Sequence, residues 1–417
     1  MINILYDSYR VLEHVYSEKT FLKQAIKSEV IEPLNRRTVI KICYGVLDKD
    51  ITLSWYISKL CDKNPKLPIR IILKISFYEI AFLNTAGHAV TDNAVELCKK
   101  LGKGGAAGFV NAVLRRFIRE KDSFALPCGN DLHSLSIKYS YPEFALKKLI
   151  NAYGLKTAVD IISYDKPYVF LRFFSDEKGE NYLTERNLKF EKLPIDGCFC
   201  LENFVRDDGF DKGEYTYQSI GSAAICEVVG GGENLLDCCA APGGKSVNLS
   251  RKFKSVVSCD VYPHRVELIK EYAERMGVKN VTAMVCDATV KNDEFIEKFD
   301  SVLCDCPCSG FGVTLENPDI KLNRTEEAVA ELCALQLKIL NNCFAYVKKG
   351  GALYYSTCSI LKEENDDLIA AFLKGQQGAK VCEISSPLGG MRGEYGITFL
   401  PNQTRGAGFY ICKIVRS

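Results

Sequence analysis

Histidine is scarce in this chain, and its cysteines do not occur at the spacing of a metal site. The four histidines are isolated from one another: His14, His88, His133 and His264. None of the nineteen cysteines forms a Cys-x-x-Cys pair. Structural zinc sites are built from such pairs or from clustered cysteine and histidine. We therefore predict that the protein holds no metal.

Long apolar runs and an excess of one charge are also absent. No uninterrupted apolar stretch is long enough to cross a membrane, and the first residues lack the pattern of a signal peptide. Lysine and arginine number 54 against 52 aspartates and glutamates, for a net charge of +2. We expect a cytoplasmic protein with no membrane partner, in which any affinity for nucleic acid comes from local basic patches.

Cysteine, by contrast, is abundant. The nineteen cysteines are an odd number and lie mostly within apolar segments, which suits small buried side chains in a reducing compartment better than a disulfide framework. The length of 417 residues allows two or three domains, and a hydrophobic content of 47% is ordinary for a globular protein.

Residues 1–125 predict a helical domain. The segments with apolar residues at three- and four-residue spacing are Tyr6–Lys27, Arg36–Leu47, Ile51–Cys61, Ile69–Asn84, Val90–Lys100 (with Thr91 or Asp92 as its cap) and Gly104–Lys121. Between Lys99 and Lys121 there are seven lysines and arginines and one acid, Glu120. This segment is either a contact surface for an RNA backbone or a solvated amphipathic helix.

After a loop-like stretch, residues 133–215 mix helix and strand and predict a small α+β region. Helices are expected at Pro142–Asn151 and Leu155–Ser163, and strands at Tyr168–Phe174 and Phe199–Val205. The aromatic residues of the first strand fit either a sheet core or an RNA contact, and the sequence does not separate the two.

Residues 216–417 alternate strand and helix. The predicted strands are Asn234–Cys238, Ser255–Asp260, Val281–Cys286, Phe299–Asp305 and Ala352–Thr357, and the predicted helices are Lys245–Phe253, Pro263–Met276, Glu326–Val347 and Lys362–Leu373. This order predicts a Rossmann-like α/β domain with a mostly parallel sheet, helices on both faces and a ligand beyond the strand ends.

The segment LLDCCAAPGGKS, residues 235–246, predicts a strand, a sharp glycine turn and the start of a helix. Backbone N–H groups at such a turn can hold an anionic group. Each of four predicted strands ends at or beside an aspartate: Asp237, Asp260, Asp287 and Asp305. One strand-end aspartate has no special meaning, but four in succession favour a ligand site. Because no G-x-G-x-x-G occurs, a compact nucleoside fits better than a dinucleotide.

Two further segments, DCPCSGFG (305–312) and YYSTCSI (354–360), place cysteines just beyond predicted strand ends. An isolated cysteine usually fills a core. Two cysteines beside an aspartate and a nucleoside site point instead to nucleophilic chemistry.

Together, LLDCCAAPGGKS, DCPCSG and YYSTCS resemble the signature segments of the S-adenosylmethionine-dependent RNA cytosine-5 methyltransferases. The N-terminal segment FVNAVLRRF resembles the NusB-like RNA-binding domain that is fused to this catalytic domain in bacterial 16S rRNA methyltransferases of the Sun/RsmB type. The resemblance covers almost the whole chain and implies three regions: a NusB-like domain at 1–125, the α+β region at 133–215 and a methyltransferase domain at 216–417.

The resemblance implies a mechanism for methylating C5 of one cytosine, the family's target being cytosine 967 of 16S rRNA. Cys358 would add to C6 of the base, and Cys308 would assist the later elimination. Asp305 would hydrogen-bond the N3/N4 edge of the cytosine, with its carboxyl kept protonated. Lys245 would orient Asp305 and lower thiol pKa values. The base must leave its stack to react.

The resemblance also implies that S-adenosylmethionine is the cofactor. The residues expected around it are Cys239, Ala240, Ala241, Pro242, Gly243, Gly244, Lys245, Asp260, Arg265, Asp287 and Asp305. The expected partner is 16S ribosomal RNA, either free or in a partly assembled small subunit, and the protein is expected to be a monomer.

The chain departs from the family pattern at a few positions. Ser219 stands where relatives carry an acid, Ala407 where an aspartate is common, and Thr314–Glu316 where paired arginines are common. Two alternatives stay open: the same chemistry on another rRNA site or on tRNA, and a non-catalytic RNA-binding or assembly factor. The presence of all four expected catalytic residues argues against the second.

Overall fold

A computed structural model describes residues 2–120, 123–166 and 168–417 of the chain. By its contacts the chain divides into two compact units. The first unit comprises the residues up to Asn151 together with Asn317–Arg324, and the second comprises Ala152–Glu316 and Thr325–Ser417.

The first unit is helical, as predicted. Its helices are α1 (Ile2–Glu18), α2 (Leu22–Ser28), α3 (Pro33–Asp48), α4 (Asp50–Leu60), α5 (Leu67–Ala81), α6 (Gly87–Lys100), α7 (Ala107–Glu120), α8 (Leu132–Tyr139) and α15 (Ile320–Asn323). Helix α5 lies at the centre because its sequence is apolar on nearly every side and all but its ends are buried.

Two details of this unit differ from the sequence prediction. The first predicted helix is two helices, α1 and α2. The predicted cap of the fifth segment was wrong, because α6 begins at Gly87 and the hydroxyl of Thr91 donates to the Gly87 carbonyl within the helix. Lys121, the predicted end of the sixth segment, lies outside the described residues.

The segment Asn317–Arg324 is part of the first unit although it is distant in sequence. Lys321 Nζ donates to both Oδ1 and the backbone carbonyl of Asp48, each at 2.7 Å. Asp319 Oδ2 accepts from the backbone N–H of Leu22 at 3.2 Å. Lys321 is almost completely buried, so this ion pair holds the segment against the helices.

The region expected at 133–215 is divided between the units at Asn151. Helix α8 belongs with the first unit because Thr52 Oγ1 donates to the Ile137 carbonyl and Ser140 Oγ accepts from Ile51 N. The two predicted helices that follow are present within α9 (Glu143–Ile162), where they meet at a non-helical residue, Gly154, whose φ is 78°.

The second unit contains two sheets. The smaller sheet is antiparallel in the order β2-β3-β1-β4, with β1 at Val169–Arg172, β2 at Glu191–Lys192, β3 at Cys198–Leu201 and β4 at Thr216–Tyr217. Helices α10 (Asp176–Glu185) and α11 (Asp208–Asp211) accompany it. Both predicted strands are present, in shortened form.

Within the described residues, the larger sheet has nine strands. They are β5 (Gly232–Asp237), β6 (Phe253–Asp260), β7 (Val281–Val285), β8 (Phe299–Asp305), β9 (Val347–Thr357), β10 (Ala379–Cys382), β11 (Met391–Arg392), β12 (Gly396–Phe399) and β13 (Phe409–Arg416). Their order is β11-β12-β13-β9-β8-β5-β6-β7, with β10 also paired to β13.

The four predicted helices are present as α13 (Gly244–Leu249), α14 (Pro263–Arg275), α16 (Glu326–Phe344) and α17 (Asp366–Gly375). Two further helices were not predicted: α12 (Ile220–Val228), which precedes β5, and α18 (Pro401–Thr404), which connects β12 and β13. Successive strand residues pack into different cores, for example Leu235 on one face and Leu236 on the other. The central strands are therefore apolar without alternation, as buried parallel strands are.

The sheet is parallel from β7 through β6, β5 and β8 to β9, but its C-terminal part is antiparallel. The expectation of a mostly parallel sheet is therefore corrected to a mixed one. Strands β10, β11 and β12 were missed because each has at most four residues. Strand β13 has eight residues and was missed because its pairing with β9 joins segments that are distant in the sequence. Among the described helices, none has the length and apolar character needed to span a bilayer.

Candidate active site

The turn after β5 has the conformation that its glycines predict. Gly243 precedes α13 with φ at 103°, in the left-handed region. A Cβ at this position would stand 3.3 Å from Ile269. Glycine is therefore favoured at this position both by its backbone angle and by the helix beside it. Lys245 follows in the first turn of α13.

The aspartates lie at one edge of the sheet, as predicted. Asp237, Asp260 and Asp305 are the last residues of β5, β6 and β8, and Asp287 follows β7 by two residues. Since these strands are parallel neighbours, their carboxyl ends meet beyond the same edge.

A cavity of about 530 Å³ opens at this edge, within the roughly 300–1,000 Å³ usual for small-molecule sites. The sequence-predicted residues that line it are Cys239, Ala241, Asp260, Arg265, Asp287, Asp305, Cys308 and Cys358. Five other predicted residues belong to the adjoining loop and helix start and do not line it: Ala240, Pro242, Gly243, Gly244 and Lys245.

The cavity also has an apolar wall that the sequence did not single out. Its members are Val261, Tyr262, Leu335 and Ile339. Val261 and Tyr262 directly follow Asp260, so their position just after a strand end could have identified them as residues of the site. The other two lie in the middle of α16, where apolar residues at helical spacing indicate only a buried face.

Two of the acidic residues are held by nearby donors. Asp260 Oδ1 accepts from the backbone N–H of Tyr262 at 3.3 Å, and Oδ2 lies 3.4 Å from Arg265 Nη2. The same Arg265 nitrogen donates to the Ala241 carbonyl at 3.3 Å. Asp287 Oδ1 accepts from both the N–H and the hydroxyl of Thr289. These contacts orient the carboxylates at the cavity wall.

Lys245 and Asp305 form an ion pair beside the cavity. Lys245 Nζ lies 2.6 Å from Asp305 Oδ2, and Ser356 Oγ donates to Oδ1 at 2.7 Å. Burial lowers the pKa of Lys245, but the charge and hydrogen bond of Asp305 outweigh this effect and raise it. Both Asp305 oxygens therefore accept hydrogen bonds, one from the lysine ammonium and one from the serine hydroxyl.

Cys308 and Cys358 meet at the cavity, with their sulfur atoms 3.1 Å apart. The hydrogen bond to Cys358, followed by burial, raises the pKa of Cys308 well above its usual value. Either sulfur can donate in this contact. The raised pKa of Cys308 is opposite to the lowering of thiol pKa values by Lys245 that the sequence interpretation expected.

Asp237 does not face the cavity. Its side chain is fully buried beneath the turn, where Oδ2 accepts from Ser246 Oγ at 2.7 Å. Burial raises the pKa of Asp237 to about 7, and the nearby charge of Asp305 adds to the rise. This aspartate therefore supports the turn from below instead of contacting a ligand.

Below the site, Cys238, Cys304 and Cys343 bring their sulfur atoms within 4.8 Å of one another. All three are buried in an apolar core, and all nineteen cysteines of the chain are free thiols. The grouping was invisible in the sequence because Cys343 comes from α16, far along the chain. We interpret it as core packing by small polarisable side chains.

Comparison with known proteins agrees with this geometry. Residues 229–415 match the family model described as 16S rRNA methyltransferase RsmB/F, and residues 3–119 match the NusB family. A Bacillus subtilis protein described as probable ribosomal RNA small subunit methyltransferase B is 34% identical over 371 residues, which are 85% of this chain and 83% of that protein. Ribosomal RNA small subunit methyltransferase B of Pasteurella multocida is 31% identical, over 90% of this chain and 86% of that protein.

Solved structures show the same fold. The crystal structure of PH0851 aligns with a TM-score of 0.82 and 22% identity, over 100% of this chain and 98% of that one. NSun6 from Pyrococcus horikoshii, solved with SFG, aligns with a TM-score of 0.58 and 19% identity, over 67% of this chain and 99% of that one.

The fold, the aspartate-lined cavity and the paired cysteines define an S-adenosylmethionine-dependent RNA methyltransferase. More specifically, the chain belongs to the ribosomal RNA small subunit methyltransferase B family. The cavity suits the cofactor chemically. It offers carboxylates for ribose hydroxyls at Asp260 and for an adenine amino group at Asp287, with the apolar wall of Val261 and Ile339 for a purine ring.

Proposed function

We propose that this enzyme methylates C5 of a cytosine in 16S ribosomal RNA, at position 967 as in the family that its sequence resembles, through a covalent adduct with Cys358. The observation that carries the proposal is the meeting of Cys358 and Cys308 at 3.1 Å beside the Lys245–Asp305 pair. A ribosomal RNA substrate also implies that the enzyme acts in the cytoplasm.

Cys358 is the proposed nucleophile. Cytosine C5 is a weak nucleophile, and addition of the Cys358 thiolate to C6 gives C5 the character of an enamine carbon. When bound, S-adenosylmethionine supplies the electrophilic methyl group that C5 takes up.

Asp305 and Lys245 are proposed to hold the base. A carboxylate accepts from the exocyclic amino group of cytosine, and the ammonium of Lys245, 2.6 Å from Asp305, fixes that carboxylate and balances its charge. The Lys245 pKa is raised, so this residue keeps its proton throughout.

Cys308 is proposed to assist release. Solvent water takes up the C5 proton, and the electron pair of the C5–H bond re-forms the C5–C6 double bond. The C6–sulfur bond breaks, and its electron pair returns to Cys358 as a thiolate. The sulfur of Cys308 lies 3.1 Å from that of Cys358, so its thiol is proposed to donate to the departing thiolate and stabilise it.

The cofactor is proposed to lie along residues 239–245, with Asp260, Arg265 and Asp287 on the adenosine side and Asp305 near the methyl group. The main chain of Gly243 and Gly244 permits close approach because neither residue has a side chain. The helical first unit is proposed to bind RNA, since Arg115, Arg116 and Arg119 are exposed on α7 while its apolar face is buried.

Two single substitutions and transcript sequencing test the proposal. With 16S RNA and cofactor, Cys358→Ala should lose methyl transfer while cofactor affinity stays near that of the wild type. Cys308→Ala should accumulate a protein–RNA adduct that survives denaturing electrophoresis. Bisulfite sequencing of RNA from a deletion strain should show loss of methylation at one 16S cytosine. Methyl transfer by Cys358→Ala at the wild-type rate would refute the nucleophile. Loss of methylation only in tRNA would refute the substrate.

A further inference from the structure

Glu364 is a fully buried acid that none of the steps above uses. It ends a short 3-10 turn, Lys362–Glu364, which precedes α17, and its exposed fraction is 0%. A carboxylate without solvent needs several donors to compensate its lost hydration. The hydrogen-bond donors around Glu364 therefore indicate what this side chain does.

Both oxygens of Glu364 accept from groups beside Cys308. Oε1 accepts from the backbone N–H of Ser309 at 2.7 Å and from Gln336 Nε2 at 3.0 Å. Oε2 accepts from Ser309 Oγ at 2.5 Å. Gln336 Nε2 also donates to the carbonyl of Pro307 at 2.9 Å. The residues on both sides of Cys308 are therefore tied to Glu364, directly or through one amide.

The same cluster reaches the residue next to Cys358. Ser309 Oγ lies 3.2 Å from Ser359 Oγ. The neighbouring Asn365 donates from Nδ2 to the Ser359 carbonyl at 3.0 Å and accepts from Thr357 Oγ1 at 2.7 Å. Ser309, Gln336 and Ser359 are each no more than 1% exposed. We call Ser309, Gln336, Ser359 and Glu364 the Glu364 cluster.

We propose that Glu364 is a positioning residue of the reaction, which holds the Cys308 loop against the Cys358 loop through Ser309. The inference rests on the roles proposed above for the two cysteines. Cys308 and Cys358 come from loops after different strands, β8 and β9, and 50 residues separate them. Buried hydrogen bonds to a fixed acceptor set their separation, and a displacement of about 1 Å in such a site costs roughly a hundredfold in rate.

The test combines a chemical probe of the cysteine pair with single-turnover kinetics on RNA. Diamide takes one hydrogen from each thiol as the Cys308–Cys358 disulfide forms, and its N=N bond is reduced to a hydrazine. The initial rate of this closure reports the separation of the sulfur atoms without RNA or cofactor. Single-turnover reactions then measure adduct formation and adduct release separately.

Three variants distinguish positioning from general stability. Ser309→Ala removes the hydroxyl link with little change in volume and should fold. Glu364→Ala removes the acceptor. Glu364→Gln can keep the links, because its oxygen accepts from Ser309 N and Gln336 while its amide donates to Ser309 Oγ. Lys362→Ala, an exposed residue of the same turn, is the matched control.

We expect Ser309→Ala and Glu364→Ala to slow disulfide closure and adduct release at least about tenfold, while adduct formation and cofactor affinity change less than about threefold. Glu364→Gln and Lys362→Ala should stay within about threefold of the wild type in every measurement. Wild-type closure and release in Ser309→Ala would overturn the inference. If Glu364→Ala does not fold, Ser309→Ala and the rescue by Glu364→Gln still decide it.

Failure of the proposed function has a different signature. If Cys308→Ala releases its adduct normally, the role of Cys308 is wrong. Slow disulfide closure in Ser309→Ala would still support the positioning of the pair by Glu364, because that measurement needs no turnover.

Discussion

Replacement of Asp237 by asparagine should change how the stability of the second unit depends on pH. Burial, with the charge of Asp305, raises the pKa of Asp237 from 3.8 to about 7, and the Ser246 hydroxyl opposes this only in part. The native state therefore holds this proton more tightly than the unfolded chain. Stability is complete at low pH and falls as pH rises from about 4 to about 7.

The size of the effect follows from these two values. Linkage gives an ionisation cost of about 2 kcal/mol at pH 5 and about 4 kcal/mol at pH 8. Asparagine has the same shape and does not ionise, so it carries no such cost. Relative to the wild type, Asp237→Asn should therefore gain about 2–3 kcal/mol between pH 5 and pH 8.

Pulse-labelling hydrogen exchange along a urea titration measures this locally, in the peptide that covers β5. Asp300→Asn is the control, because Asp300 has the opposite character. Burial raises the pKa of Asp300, but the hydrogen bonds of Lys348 and of backbone N–H groups outweigh it and lower the pKa. Its effect is complete above about pH 4, so Asp300→Asn should shift stability equally at pH 5 and pH 8. If the Asp237→Asn and wild-type curves run parallel with pH, the assignment of a buried, proton-binding Asp237 is wrong.

Three further predictions concern other parts of the molecule. Lys321→Met should destabilise the first unit by about 2–3 kcal/mol. This is less than for a fully enclosed ion pair, because the Asp48 side chain is 32% exposed. Urea unfolding followed by the fluorescence of Trp55, the single tryptophan, measures the loss, and an unchanged unfolding midpoint would contradict the prediction. Gly243→Ala should weaken S-adenosylmethionine binding about tenfold, because a left-handed φ costs a residue with a side chain about 1–3 kcal/mol. Calorimetry measures the affinity, and a wild-type value would show that the turn does not require glycine at this position. The double substitution Arg115→Glu and Arg119→Glu should weaken RNA binding. The slope of log affinity against log salt concentration should fall by roughly one unit per lost phosphate contact, while cofactor affinity serves as the control. Unchanged RNA affinity would show that α7 is only a solvated surface.

The strands, the turn and the helix start near the site could be predicted from the sequence, because each depends on residues that are close together in the chain. A strand, a glycine turn and a helix start follow from apolar residues, Gly243 and Gly244 within one short segment. The parallel strands ending in aspartate could be predicted for the same reason, since a buried strand and its terminal acid are contiguous. Topology then places these ends at one edge, so the cavity was predictable in position.

Contacts between segments that are distant in the sequence could not be predicted. Strands β10, β11 and β12 have at most four residues each. Strand β13 is longer, but it is placed by its register against β9, from Tyr410 opposite Thr357 to Val415 opposite Ala352. The assignment of Asn317–Arg324 to the helical unit depends on Lys321 meeting Asp48, a contact that no local pattern encodes. Hydrophobic periodicity describes one segment at a time and cannot specify such partners.

The chemistry of the site was likewise predicted in part from the sequence and decided in part by the tertiary structure. The resemblance of short segments to a known family predicts Cys358, Cys308, Asp305 and Lys245 as the reacting residues, and it also predicts that Lys245 orients Asp305. The distances between these residues depend on the environment that folding creates around each one. Only the packed structure makes Asp237 a buried support with a raised pKa and surrounds Glu364 with the donors that connect the two cysteine loops.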